Sequence, residues 1–230
     1  MKPRLRIPRQ IRTGTLAASS PGDRLRCAVL ASTGHEWVGA DLASGALVRN
    51  RAGGPVPGPA ALRPLQVADV VIGTTAEAPD PARPEAVELA EAGPALGTLS
   101  RRRARRLLRR LAAPERAGAP LLGRWGPSVA LEELDGAVPS VVLVGLAPGA
   151  VELAVGPDGE PVCWLRWSGV RQSLPLADPA AETALGETGG RLRPRAVEEA
   201  LGLTPGYAVV ALAEVRAGYV PKVVLALLPG

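Results

Sequence analysis

The chain of 230 residues has no phenylalanine, two tyrosines and four tryptophans, so valine, leucine and alanine must supply nearly all of its core volume. Lysine is also scarce: Lys2 and Lys222 are the only two among 27 basic residues, and arginine supplies the rest. With 27 glycines and 24 prolines, this bias matches translation from a G+C-rich genome, so arginine abundance alone says little about nucleic acid. The single histidine, His35, rules out a Cys/His set with zinc-ligand spacing and leaves nucleophilic catalysis one base to work with. Cys27 and Cys163 are far apart, each inside an apolar strand-like run, and read as buried thiols. No GxxxxGK[ST] or GxGxxG occurs; Gly53-Gly54 and Gly189-Gly190 are bare turn glycines, which sets nucleoside triphosphate hydrolysis aside. The longest apolar run, Val223 to Leu228, suits a buried strand and is too short to cross a bilayer. Leu5, Ile7, Ile11 and Leu16 are broken up by charges and prolines and never form the apolar stretch of a secretory signal. The sequence therefore predicts a cytoplasmic protein with no membrane partner, no metal and no cofactor.

What is present is ordinary for a folded chain: 47% hydrophobic and 21% charged residues lie far from the composition of disordered proteins. The formal net charge of +5 permits an anionic partner without requiring one. Its distribution is more informative. Basic residues gather at Lys2, Arg4, Arg6, Arg9 and Arg12 and again from Arg101 to Arg110, whereas acids are spread through the middle.

Residues 1–23 read as a basic arm without a clear period. Short apolar runs separated by glycine and serine turns then predict strands over Arg26–Ser32, Glu36–Leu42 and Ala46–Arg51, with a fourth over Leu65–Ile72. Glu85 to Ala92 is compatible with a short helix. Ser100 to Ala113 is the strongest helix pattern in the chain: a serine at the N-cap position, good helix formers, and Pro114 to close it. Ala104, Leu107, Leu108 and Leu111 fall at i, i+3, i+4 and i+7, giving one narrow apolar stripe with arginines over the rest.

A Gly/Pro-containing stretch over 114–138 reads as a linker. A second β-meander follows over 139–230, with strands at 140–146, 151–155, 161–167 and 170–176, a turn at Pro157-Asp158-Gly159 and another at Ser168-Gly169. Helical pattern returns at 194–201, before closing strands at 207–215 and 220–228. The expected fold is mainly β with short helices: two small β-barrels, 24–113 (including helix 100–113) and 139–230, joined by the basic helix and linker.

Four parts of the chain carry a resemblance to the dual OB-containing domain family. Arg26-Cys27, Trp37 to Asp41 and Ser44 to Arg49 are similar to its opening hairpin, and Arg83-Pro84-Glu85 to its Gln-Pro-Glu-Asn step. Trp164 to Gly169 with Leu174 to Pro179 resembles its central hairpin, and Leu212 to Glu214 with Tyr219 to Lys222 its closing hairpin. The chain departs from the family pattern at Ala86, where asparagine is expected, and at Pro221, where an aromatic is more usual. The resemblance implies two OB-like barrels and a nucleic-acid- or nucleotide-binding role, in a bacterial defence or conflict setting, with no catalytic residues to carry over.

Ser32, His35 and Glu36 superficially resemble a triad but are too crowded, since adjacent strand residues point to opposite faces. Asp41 with Asp69, and Glu132, Glu133 and Asp135, match no nuclease or phosphatase spacing and read as solvated acids. The chain is therefore expected to be a non-catalytic binding module. Its phosphate contacts are expected from Arg101, Arg102, Arg103, Arg105, Arg106, Arg109 and Arg110, whose guanidinium forks suit phosphate oxygens. Trp164, Arg166 and Arg171 form a second candidate cluster on a sheet face of the kind that stacks bases, with Trp167 on the opposite face and Trp37 in the core. The expected ligand is RNA or single-stranded DNA. The alternative is a scaffold subunit that docks on an acidic protein partner through the same helix.

Overall fold

The computed structural model describes residues 20–34, 36–50, 56–58, 61–73, 82–115, 118–134 and 139–230. As expected, the protein is mainly β with short helices. It divides into two compact units, one holding the described residues up to 73 together with 85–111, the other 82–84 and 112–230. No helix among the described residues is long and apolar enough to cross a membrane.

The first unit opens with β1 (Arg24–Ser32), β2 (Trp37–Asp41) and β3 (Leu47–Asn50), an antiparallel meander. Strand β4 (Gln66–Ile72) pairs with the other edge of β1, and Arg26 lies opposite Asp69. The segment compatible with a short helix, 85–92, is instead two strand pieces, β5 (Ala86–Val87) and β6 (Leu89–Ala92). Its helix-compatible composition yields to pairing, because it has a partner on each side: β5 runs parallel to β3, and β6 antiparallel to β4. The segment thereby closes the sheet on itself. A two-residue strand, β7 (Gly97–Thr98), also pairs with β4 and leads into helix α1 (Arg101–Leu111).

Strand β2 shows how the missing phenylalanines are compensated. The ring of Trp37 lies over Gly39, its neighbour on the same strand face, so closely that a Cβ at Gly39 would collide with the indole. The tryptophan thus fills space that two side chains would otherwise share, beside Cys27, Val29, Val48 and Val70.

In the second unit, β9 (Val141–Gly145) and β10 (Glu152–Val155) follow one another, separated by residues 146–151. Strand β10 pairs with β11 (Pro161–Trp167), which pairs with β12 (Val170–Pro175) across Ser168-Gly169. Both turn residues have positive φ, +49° and +78°, as a two-residue hairpin requires. Leu176, directly after β12, bridges in parallel to Val224 of β15 (Tyr219–Pro229). Strand β15 pairs with β14 (Pro205–Leu212), and β14 returns to β9. With β5 and β6 counted as one strand, β9 and β10 as another, and the remaining two- and three-residue strands left out, both units follow the path 1-2-3-5-4-1. Helices α2 (Pro179–Glu187) and α3 (Pro194–Leu201) lie between the third and fourth strands of this unit, flanking the short strand β13 (Arg191–Leu192), which pairs with β10.

Described residues of the stretch read as a linker, 114–138, contribute to the second unit. Leu121 and Leu122 are in its core, and β8 (Ser128–Ala130) adds to the edge of β15. Helix α1 also ends earlier than its pattern predicts. Ala112 bridges in parallel to Leu143, and the Ala113 N–H donates to the Leu143 carbonyl at 2.8 Å, so extended pairing replaces the last helical turn.

Candidate nucleic-acid interface

Helix α1 starts where the serine predicts: the Ser100 carbonyl accepts the Ala104 N–H at 2.9 Å. Its buried residues are Ala104, Leu107, Leu108 and Leu111. Arg101, Arg102, Arg103, Arg105, Arg106 and Arg109 are exposed and Arg110 is half-buried. Among the described residues, no ion pair engages the six exposed arginines. Six of the twelve described arginines outside the helix meet the chain's own carboxylates: Arg26 with Asp69, Arg49 with Glu36, Arg124 with Glu133, Arg171 and Arg191 with Glu152, and Arg195 with Glu199.

The concentration of charge on α1 opposes helix formation. Four i,i+4 arginine pairs repel one another, costing on the order of 1–2 kcal/mol together. Cations at Arg101, Arg102 and Arg103 also oppose the positive end of the helix dipole, with no acid in the first turn to offset them. The helix is held by its buried stripe, and among the described residues no ion pair offsets its six exposed cations.

The second cluster lies on the outer face of β10–β12. Alternation along β11 places Cys163, Leu165 and Trp167 inward, Arg166 outward, and Trp164 half-buried on the outer side. Trp167 is a core residue whose indole N–H donates to the Ala119 carbonyl at 2.8 Å. The Trp164 ring already has a partner: the Arg171 guanidinium sits 4.5 Å from its centroid. Arg171 in turn donates to Glu152 at 2.6 Å, and Arg191 donates to the same carboxylate at 2.6 and 2.9 Å. Of the three residues singled out on this face, Arg166 alone is exposed with no ion pair among the described residues. Glu152 and Arg191 were not legible as members of the cluster, because only strand register brings Glu152 opposite Trp164.

The residues set aside on sequence grounds have structural roles. Glu36 is buried and grips the fully buried Arg49 through both carboxylate oxygens, at 2.8 and 2.5 Å. His35 and Asp135 lie outside the described residues. Asp41 accepts from the Ala43 and Ser44 N–H groups and the Ser44 hydroxyl, closing the turn after β2. Asp69 is held below the usual carboxylate range by its hydrogen bonds from Arg26. Glu132 is exposed, and Glu133 pairs with Arg124. Cys27 and Cys163 are both buried free thiols. Burial pushes Cys163 up to about 12 and raises Cys27 as well. No group of three or more metal-ligating side chains occurs among the described residues.

Two further buried polar groups escaped the sequence reading. Asp178 caps α2, accepting from the Ala180 and Ala181 N–H groups, and also accepts the Leu227 N–H at 2.7 Å; its burial raises its pKa. The Asp-Pro start of α2 is an N-cap followed by a first-turn proline, a signal present in the sequence. Lys222 is fully buried and donates to the Arg124 and Gly126 carbonyls at 2.5 and 2.7 Å. Burial lowers its pKa to about 8. No sequence signal separates this lysine from a surface one.

Compared with known proteins, the chain matches no family model, no curated protein and no solved structure.

Proposed function

We propose that this protein is a non-catalytic nucleic-acid-binding module whose main contact is the exposed arginine face of α1. The observation that carries the reading is the contrast in charge pairing. Six guanidinium groups on one helix face solvent without a carboxylate among the described residues, while six of the twelve described arginines outside the helix are matched to acids. A genome-wide bias toward arginine does not account for that segregation. Such groups bind phosphate oxygens and release condensed counterions, so affinity falls steeply with salt.

Five main strands per unit in this order suit an OB-like Greek-key barrel, which supports the same reading by analogy of fold. The outer face of β10–β12 is a secondary contact. There Arg166 is available at once for a phosphate, whereas Trp164 and Arg171 are held in their mutual stacking.

The test is fluorescence anisotropy with labelled single-stranded DNA, RNA and duplexes over a salt series. Binding at low ionic strength should weaken with salt and drop sharply in a variant carrying Arg102→Gln, Arg106→Gln and Arg109→Gln. Absence of affinity for all of these ligands at low salt removes the reading. A stoichiometric protein partner that survives nuclease treatment and is lost in the same variant would place the helix on an acidic protein instead.

A further inference from the structure

We infer that α1 enters the major groove of B-form duplex DNA; this rests on the nucleic-acid reading above and goes beyond it by naming the form of the ligand. The inference comes from how the arginines are arranged around the helix. Each residue advances about 100° at 3.6 residues per turn, so with Arg101 at zero the four buried side chains fall within about 240–340°. On the same scale Arg101 and Arg105 line one flank at about 0–40°, and Arg103 lies on the opposite flank at about 200°. Arg102, Arg106 and Arg109 crown the helix at about 80–140°, facing away from the buried stripe.

A single strand has one phosphate track and satisfies one flank, leaving the other flank and the crown unneutralised. A duplex groove presents a phosphate track on each side and base edges along its floor. The major groove of B-DNA is about 12 Å wide and an α-helix with its side chains about 10–12 Å across, so the flanks meet the two backbones as the crown meets the floor. There guanine offers O6 and N7 to a guanidinium fork. The major groove of A-form RNA is too deep and narrow for side chains to read. From Arg101 to Arg109 the helix rises about 12 Å, which covers roughly four base steps at 3.4 Å each.

The experiment compares a labelled DNA duplex, each of its separated strands, and an RNA duplex of matched length and sequence, over a salt series on the full chain. The DNA duplex should bind at least ~10-fold tighter than the other three. Replacing both residues of one flank, Arg101→Gln with Arg105→Gln, should flatten its logarithmic salt slope by about 2, and Arg103→Gln on the other flank by about 1. These positions are exposed and lie in a self-repelling row, so circular dichroism should show α1 intact. Equal affinity for a single strand or for the RNA duplex overturns groove insertion while leaving the nucleic-acid reading standing, as does either flank variant that keeps the wild-type affinity and slope for the DNA duplex. If none of the ligands binds at low salt, both fall.

Discussion

Breaking the Glu36–Arg49 pair should cost the first unit a large share of its stability, and removing both partners should restore much of it. Arg49 has no solvent exposure and Glu36 almost none, and two parallel hydrogen bonds join them between the entry to β2 and the middle of β3. Glu36→Gln takes from the buried guanidinium the carboxylate that accepts two of its hydrogen bonds, and Arg49→Met takes from the buried carboxylate both of those donors. Each single variant should lose about 3–5 kcal/mol, against a typical domain stability of about 5–15 kcal/mol. In the double variant Glu36→Leu with Arg49→Met, the desolvation of both charges disappears and the pocket becomes apolar. Its loss should fall well short of the sum of the singles, with a coupling of at least about 2 kcal/mol. Urea-dependent hydrogen exchange on peptides covering β1 to β3 reads the first unit separately from the second. Single losses below about 1 kcal/mol, or a double variant equal to the sum, would refute the view that this pair is a mutually dependent buried unit.

Lys222 gives a pH prediction whose sign follows from linkage. Between pH 8 and the ordinary lysine value of 10.5 the unfolded chain still binds this proton while the native state has released it, so raising the pH through that window favours the native state. Measured as unfolding free energy against a Lys222→Met variant, wild type should gain up to about 3 kcal/mol across the window; a flat or falling difference sinks the assignment. Cys27 and Cys163 are buried with raised pKa values and should resist a thiol reagent at pH 8 in the native state, each reacting only as its own unit unfolds. Rapid labelling of either thiol in the native protein would contradict that burial.

Where local chemistry decides, the sequence was enough. The apolar stripe and N-terminal serine of α1 predicted a helix with its arginines outward, since i, i+3, i+4 spacing and end capping act within one turn. The Ser168-Gly169 hairpin followed from the two-residue separation of its strands. By parity within β11, Trp167 pointed to the core and Arg166 to solvent, because strand side chains alternate.

Other features depended on partners distant in the chain. Residues 86–92 became strand because β3 and β4 both offered free edges, and 118–134 joined the second unit because Leu121 and Leu122 had apolar surface to bury and β15 had an edge to pair. The ring of Trp164 is covered by Arg171, and Arg171 is held by Glu152, through a register that no local pattern encodes. Composition and periodicity alone thus determined a β-rich chain with one strongly basic helix. The tertiary structure decided which of its charges are neutralised, because counter-ions 13 to 43 residues apart, as in Glu36–Arg49 and Arg26–Asp69, meet only once strand pairing brings them together.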